Sequence, residues 1–127
     1  MLALEQGKNM GKVLETTQAK GISARPTVYS GGDDSDVPHY HETSYLTFIL
    51  QGGALAKRKR DEVDCFPGTL TFYYAGEPHQ CLHQADFTKS INFEVEPQFY
   101  LENEISESVL NSSIKQNQGV KFAMLKQ

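Results

Sequence analysis

Residues 39–53 read HYHETSYLTFILQGG, and this stretch carries the pattern on which the fold prediction rests. In an extended chain, residues two apart point to the same side, so His39 and His41 share a face. The segment 45–50 is rich in aromatic and β-branched residues, which favour β-strands. Gly52-Gly53 then marks a turn. The stretch therefore predicts strand structure that presents two imidazoles to one side and ends at a turn.

Short segments separated by turns continue on both sides of this stretch. Further predicted strands lie at 12–17, 22–29, 69–74 and 87–95. The turns between strands contain Gly, Pro, Asp or Ser and include 30–36, 67–68 and 75–78. Turns spaced about 8–12 residues apart predict an all-β sandwich or barrel.

The segment 87–95 alternates between two faces. One face is apolar apart from its lysine and consists of Phe87, Lys89, Ile91, Phe93 and Val95. The other face is polar and consists of Thr88, Ser90, Asn92 and Glu94. A period of two with one polar side is typical of a half-buried antiparallel strand.

The C-terminal part changes to a helical period. Four apolar residues at i, i+4, i+5 and i+9 form a stripe, namely Ile105, Val109, Leu110 and Ile114. This stripe predicts a helix over 103–115 within a C-terminal helical segment, 102–127, that follows a barrel with an N-terminal arm, 1–101. An exposed apolar stripe needs a cover, so it predicts either a dimer surface or packing on the chain's own barrel. A second apolar stretch, 120–125, follows near the end of the sequence.

Composition excludes several classes of function. The 127 residues have a formal net charge of -4, which is the opposite of the surplus that double-stranded nucleic acid attracts. The basic run 57–60 is followed by Asp61, Glu62 and Asp64, so it predicts a solvated hairpin tip. No apolar run approaches the ~20 residues of a membrane span, and residues 1–11 lack a secretory signal. We therefore expect a cytoplasmic protein with two buried thiols, Cys65 and Cys81.

Three histidines are the candidate chemical site. His39 and His41 share a strand face, and His79 follows the turn at 75–78. If all three face the inside of a barrel, they can hold zinc, nickel or iron. His83 shares the parity of His79, but the sequence favours a position at the wetter end of its strand.

These motifs together resemble the cupin superfamily, and more closely the N-terminal sensor domain of AraC-family transcription regulators. The resemblance covers about residues 21–101 and rests on HYHE (39–42), FILQGG (48–53), FPGTLTF (66–72) and AGEPH (75–79). It implies an all-β, cupin-type antiparallel barrel (a double-stranded β-helix or jelly roll) with one or two C-terminal helices. It also implies a domain that binds a small organic effector, for which a sugar is one candidate, and that forms a homodimer.

The sequence departs from these families at two places. Metal-binding cupins have a Glu four or five residues after the second His, where this chain has Tyr45 and Leu46. A pocket of His39, His41, Tyr45 and His79, with Glu77 at its mouth, is therefore expected to bind an organic ligand without a cofactor. The alternative is a metal held by the three histidines.

The second departure concerns DNA. No helix-turn-helix pattern follows the barrel, so DNA binding would require a domain beyond this sequence. The first hypothesis is therefore the effector-binding and dimerisation domain of an AraC-type regulator, which is not an enzyme. The alternative is a stand-alone metal-dependent cupin enzyme of the dioxygenase or isomerase type.

Overall fold

Eleven β-strands and two short helices make up the described part of the chain, residues 1–6, 10–30, 37–83 and 85–115 of a computed structural model. The strands are β1 Leu2–Leu4, β2 Lys12–Val13, β3 Thr17–Ala19, β4 Ile22–Ser30, β5 His39–His41, β6 Ser44–Gln51, β7 Ala54–Arg58, β8 Glu62–Cys65, β9 Leu70–Tyr73, β10 His79–His83 and β11 Phe87–Val95. The helices are α1 Pro97–Asn103 and α2 at 107–115. The predicted all-β class with C-terminal helices is confirmed.

The strands form two sheets whose neighbours are far apart in sequence. Sheet A has the order β1-β5-β10-β7-β8, and sheet B has the order β2-β4-β11-β6-β9, with β3 also paired to β4. Among the described strands, β1 and β5 pair in parallel and the other pairs are antiparallel. This interleaving brings the HxH segment β5 beside the later strand β10, as a jelly roll requires.

The polar face of β11 is the buried one. Strand β11 lies between β4 and β6, and its register places Asn92 opposite Arg25 on one side and Thr47 on the other. Thr88 and Ser90 are fully buried and Asn92 is 1% exposed, whereas Ile91 and Phe93 are only half-buried. The predicted alternation is therefore correct, but the barrel interior takes the polar set.

Hydrogen bonds satisfy most of this polar interior, although the Ser90 hydroxyl has no partner among the described residues. Arg25 donates to Glu94 at 2.6 Å in an ion pair whose side chains are each 6% exposed. Asn92 donates to the hydroxyls of Thr27 and Tyr29 and accepts from Thr47. The Glu94 carboxylate is therefore buried inside the barrel.

A smaller apolar cluster fills the space between the sheets. It consists of Tyr45, Ile49, Ala56, Cys65 and Tyr73, with Val63 and Cys81 packed against it. Both cysteines are thiols, one buried and one half-buried. The turn before β7 needs glycine at position 52, where φ is +81° and a Cβ would lie 2.4 Å from the carbonyl oxygen of Phe87.

The C-terminal helices begin earlier than the sequence predicts. Helix α1 starts at Pro97, inside the range expected for the barrel, and ends where Glu104 adopts a left-handed conformation with φ of 53°. Helix α2 follows as a separate segment. It contacts the end of β9, because the Glu107 carboxylate accepts from the amide of Ala75 and Asn111 donates to the hydroxyl of Tyr74. The apolar stretch 120–125 lies outside the described residues.

The basic run 57–60 lies at the tip of the β7–β8 hairpin, as predicted. Both arginines of the run nevertheless form ion pairs. Arg58 pairs with Asp61 at 2.6 Å, and its side chain is only 4% exposed. Arg60 pairs with Glu77 at 2.8 Å. Among the described residues, neither helix has the length and apolar character that crossing a membrane requires.

Candidate functional site

Two strands of sheet A bring the three predicted histidines together. Strand β5 places His39 and His41 on the interior face, and β10 places His79 directly opposite His39. All three are buried, and one ring nitrogen from each lies within 4.8 Å of the others. The cluster therefore forms on the inner wall of the barrel from residues 40 positions apart in the sequence.

Backbone carbonyls fix the orientation of two of these rings. Nδ1 of His39 donates to the carbonyl of Val37 at 2.7 Å, and Nδ1 of His79 donates to the carbonyl of Glu77 at 3.0 Å. A carbonyl oxygen only accepts, so we assign the proton to Nδ1 in both rings. In a neutral imidazole this leaves Nε2 with its lone pair available, which is the arrangement of metal-binding histidines.

Burial keeps the cluster neutral. Desolvation, followed by the charges of His79, His39 and Arg25, lowers the pKa of His41 to about 3. Desolvation and then the charge of His39 lower the pKa of His79 to about 4. Burial also lowers the pKa of His39, partly offset by its bond to Val37. All three are therefore uncharged at neutral pH, as metal ligands must be.

Tyr45 lies against this cluster. Its hydroxyl is 2.9 Å from Nε2 of His79, and its ring centroid is 3.9 Å from that of His41. Tyr73 packs behind it, 4.8 Å from its ring and 4.2 Å from that of His79. Burial raises the pKa of both tyrosines well above the usual value, so both phenols are protonated at neutral pH.

A small cavity adjoins the cluster and is lined by His39 and His41. Its volume is about 30 Å³. Its walls also include Tyr45, Thr47, Ile49, Cys65 and Cys81, and Met10, Tyr29 and His83 line it as well. The expectation that His83 lies apart at the wet end of its strand is wrong, since its ring stacks on Tyr29 at 4.6 Å.

The cavity size limits what can bind. A site of about 30 Å³ holds one or two water-sized groups, whereas small-molecule pockets are typically about 300–1,000 Å³. In this conformation the site fits an ion with small ligands, and a sugar-sized effector would require the barrel to open.

Glu77 does not line the cavity through its carboxylate. That group accepts from Arg60 and from the amide of Tyr74. The residue instead contributes its carbonyl, which orients His79. Its carboxylate is therefore held by Arg60 and Tyr74, and its link to the histidine cluster is through the backbone carbonyl.

The predicted dimer stripe is partly covered. Val109 is 50% exposed. The other three positions are half-buried, namely Ile105, Leu110 and Ile114. Because α2 also bonds to the end of β9, part of the stripe belongs to the chain's own packing.

The sequence prediction missed the polar residues behind the histidines. Arg25 and Glu94 lie in the interior close enough for the arginine charge to lower the pKa of His41. Asn92 links β11 to both of its neighbouring strands. The available signal was that polar residues at 23, 25 and 27 alternate in β4 as they do at 88–94 in β11.

Comparisons with known proteins agree with the cupin fold. No protein-family model and no curated protein matches the sequence. Among solved structures, a cupin superfamily protein from Desulfitobacterium hafniense is 18% identical, with a TM-score of 0.55 over 70% of this chain and 82% of that one. A cupin-2 domain-containing protein from Shewanella frigidimarina is 13% identical, with a TM-score of 0.54 over 70% and 85%.

KdgF from a Halomonas species is 15% identical, with a TM-score of 0.56 over 71% of this chain and 82% of that one. At these identities the likeness concerns the fold alone. The chain therefore has a jelly-roll β-barrel fold like that of these cupin structures. The sequence resemblance to AraC-type sensor domains has no counterpart among these structures.

The donor set fits a divalent transition metal. Three neutral imidazoles suit zinc, nickel or iron. The spread of up to 4.8 Å between ring nitrogens exceeds the roughly 3.4 Å expected on one tetrahedral zinc, so ring shifts of about 1 Å would bring them together. The position four residues after His41 offers a phenol where metal-binding cupins have a carboxylate.

Proposed function

We propose that this protein is a metal-dependent cupin that holds a divalent transition metal on His39, His41 and His79 and binds a small oxygen-donor molecule beside Tyr45. The observation that carries the proposal is the buried, neutral cluster with carbonyl-fixed Nδ1 protons on two of its rings. Three ligands leave coordination positions open, and a bound metal supplies Lewis-acid polarisation of a ligand oxygen.

The chain's own residues would orient such a ligand by hydrogen bonding. Tyr45 is a protonated phenol at the cluster and can donate a hydrogen bond to a ligand oxygen. Thr47 adds a hydroxyl to the same wall and is held by Asn92. Ile49 and Cys65 on the cavity wall limit the ligand to a small molecule and exclude bulk water.

Metal binding by purified protein tests this proposal. We expect about one zinc, nickel or iron per chain and expect His39→Ala or His79→Ala to abolish stoichiometric binding. The matched control is His83→Ala, which removes a histidine of the same strand as His79 that lines the adjoining cavity but lies outside the cluster. Absence of tight metal binding in the wild-type protein, or equal loss in the control, would contradict the proposal.

The second candidate is the effector-sensing domain of an AraC-type regulator. It is supported by the sequence resemblance. It is also supported by α2, which contacts the barrel and exposes Val109, because such a helix could transmit a ligand-dependent change to a partner. A metal-free protein whose melting temperature rises with the concentration of a small organic ligand would favour this function. The two functions therefore separate on whether metal or organic ligand alone stabilises the fold.

A further inference from the structure

The hydroxyl of Tyr45 is hydrogen-bonded to Nε2 of His79, the nitrogen that a metal would need. Nδ1 of His79 carries the proton, because it bonds to the carbonyl of Glu77. Nε2 of the same neutral ring is therefore an acceptor. The contact of 2.9 Å is then a hydrogen bond from the Tyr45 hydroxyl to the lone pair of Nε2. One lone pair serves one partner at a time, so this hydrogen bond and a metal bond exclude each other.

A second hydroxyl lies beside Tyr45 on the cavity wall. Thr47 lies two residues along the same strand face and lines the same cavity, where its hydroxyl donates to Asn92. The ring lies between those of His41 at 3.9 Å and Tyr73 at 4.8 Å. Turning the hydroxyl proton would not move its oxygen, so a metal reaches Nε2 of His79 only when the phenol shifts between these two rings.

We propose that Tyr45 is a gatekeeping residue of the metal site: its hydroxyl caps Nε2 of His79 in the metal-free protein and is displaced when metal binds. This proposal rests on the metal-binding function proposed above. Displacement turns the phenol into a free donor beside the metal, so loading with metal also prepares the donor that a ligand oxygen meets. Tyr45 acts through His79 and is not itself a ligand.

The test compares metal affinity in Tyr45→Phe and wild-type protein. Chelator competition with Zn²⁺ and Co²⁺ gives the dissociation constants, and the Co²⁺ absorption spectrum reports the donor set. Removing a competing hydrogen bond should tighten binding about 2- to 10-fold, with the Co²⁺ spectrum unchanged. The matched control is Tyr73→Phe, which removes a phenol of equal burial whose hydroxyl faces the thiol of Cys81 rather than a histidine nitrogen. Its affinity should match that of the wild type.

Each other outcome has a definite meaning. Weaker binding by Tyr45→Phe with an altered Co²⁺ spectrum would make Tyr45 a metal ligand, and equal affinity would show no competition. Either result overturns the gate but leaves the metal site intact. Equal tightening by Tyr73→Phe would show that any loss of a buried phenol suffices, and would also overturn it. No binding by wild type or either variant would refute the metal site itself.

Nitrogen NMR of the wild-type protein gives a readout that needs no variant. Nε2 of His79 should show the shift of a hydrogen-bonded acceptor in metal-free protein and move on addition of Zn²⁺. An Nε2 that carries the proton in metal-free protein would overturn the proposal.

Discussion

The two faces of β4 and β11 in sheet B differ in the opposite sense from those of an ordinary sheet, whereas the neighbouring strands β6 and β9 turn the apolar side chains of Tyr45, Ile49 and Tyr73 inward. The interior face carries hydroxyls, amides and an ion pair, and its residues at 23, 25, 27, 88, 90, 92 and 94 are all buried. On β4 and β11 the outer face carries aliphatic and aromatic side chains that are mostly half-buried, among them Ala24, Val28, Ile91 and Phe93, while Val95 at the end of β11 is buried. Both faces come from the same strands and the same two-residue period.

This difference shows what the interior is for. A barrel interior filled with apolar side chains would give a more stable fold, because burying a polar group costs free energy unless that group is hydrogen-bonded. Here most of the polar set is paired, through Arg25 with Glu94 and through Asn92 with its neighbours, and only the Ser90 hydroxyl lacks a partner among the described members of this set. The paired interior surrounds a histidine cluster and a narrow cavity, so the inside of this barrel is arranged as a site.

The variant with the largest expected effect on stability is Glu94→Gln, which leaves the Arg25 charge buried without a counter-ion. Removing one partner of a buried ion pair typically costs about 3–5 kcal/mol, and we expect a loss of that size in urea unfolding of the variant. The matched control is Glu102→Gln, at an exposed position of α1, which should change stability by less than about 0.5 kcal/mol.

A paired replacement sharpens this result. Arg25→Met combined with Glu94→Leu removes both charges and should recover most of the lost stability. If Glu94→Gln unfolds with wild-type stability, the ion pair is not a buried interior feature and the comparison between the two faces fails.

The next largest effect is acid destabilisation of the metal-free protein. The pKa values of His41 and His79 are about 3 and about 4 in the fold, against about 6.5 in the unfolded chain. Because the folded values are depressed, the unfolded chain takes up protons first. Stability is therefore complete above about pH 6.5 and falls toward pH 4, on the order of 1 kcal/mol per pH unit for each group.

Melting temperatures measured from pH 7.5 to pH 4.5 check this slope. His79→Gln removes one titrating group and should make the slope shallower while the direction stays the same. A wild-type melting temperature that is flat or rises as the pH falls would show that the cluster is not buried in its neutral form.

Exchanging neighbours on β11 tests the two faces directly. Asn92→Ile places an apolar group inside, where it leaves the hydroxyls of Thr27, Tyr29 and Thr47 without their amide partner. We expect a loss of about 1–3 kcal/mol from such unsatisfied groups. The reciprocal change, Ile91→Asn on the half-buried outer face, should cost about 1 kcal/mol of transfer free energy.

Urea unfolding of the two variants decides between the faces. An ordinary sheet, with its apolar face inside, would give the opposite order, since Asn92→Ile would stabilise and Ile91→Asn would be severe. That order of stabilities would contradict the described register.

The sequence predicted the barrel and its histidines because both depend on local pattern. The turns at 52–53 and 67–68 and the HxH pair have the same meaning in any barrel of this kind. The orientation of β11 was not predictable in this way, because a period of two separates the faces without saying which faces inward. Only the phase shared between β4 and β11 pointed to a polar interior, since both strands alternate polar and apolar residues over the same register.

The predictions of the helix boundary and of the position of Glu77 failed for a related reason. Pro97 was compatible with a helix start, but the apolar stripe of the sequence begins only at Ile105, so α1 carried no periodic signal. The position of the Glu77 carboxylate is set by its ion pair with Arg60, which lies 17 residues earlier on a different hairpin. Such a tertiary ion pair has no signature in the local sequence.

The smallest expected effect on stability concerns the surface of α2. Val109 is 50% exposed on the stripe predicted to form a homodimer, and its replacement by Asp should change the free energy of unfolding of the isolated chain by less than about 0.5 kcal/mol. If the stripe is the dimer surface, sedimentation of Val109→Asp should shift from dimer to monomer, because a buried charge opposite its symmetry mate is costly.

The outer face of sheet B supplies the competing surface in the same experiment. Ile91→Asn alters that face and leaves α2 unchanged, so it should remain dimeric if α2 forms the interface. Dissociation of Ile91→Asn together with an intact Val109→Asp dimer would move the interface to the apolar outer face of the sheet. The polar inner face of β4 and β11 would then surround the site, and their apolar outer face would join the two copies.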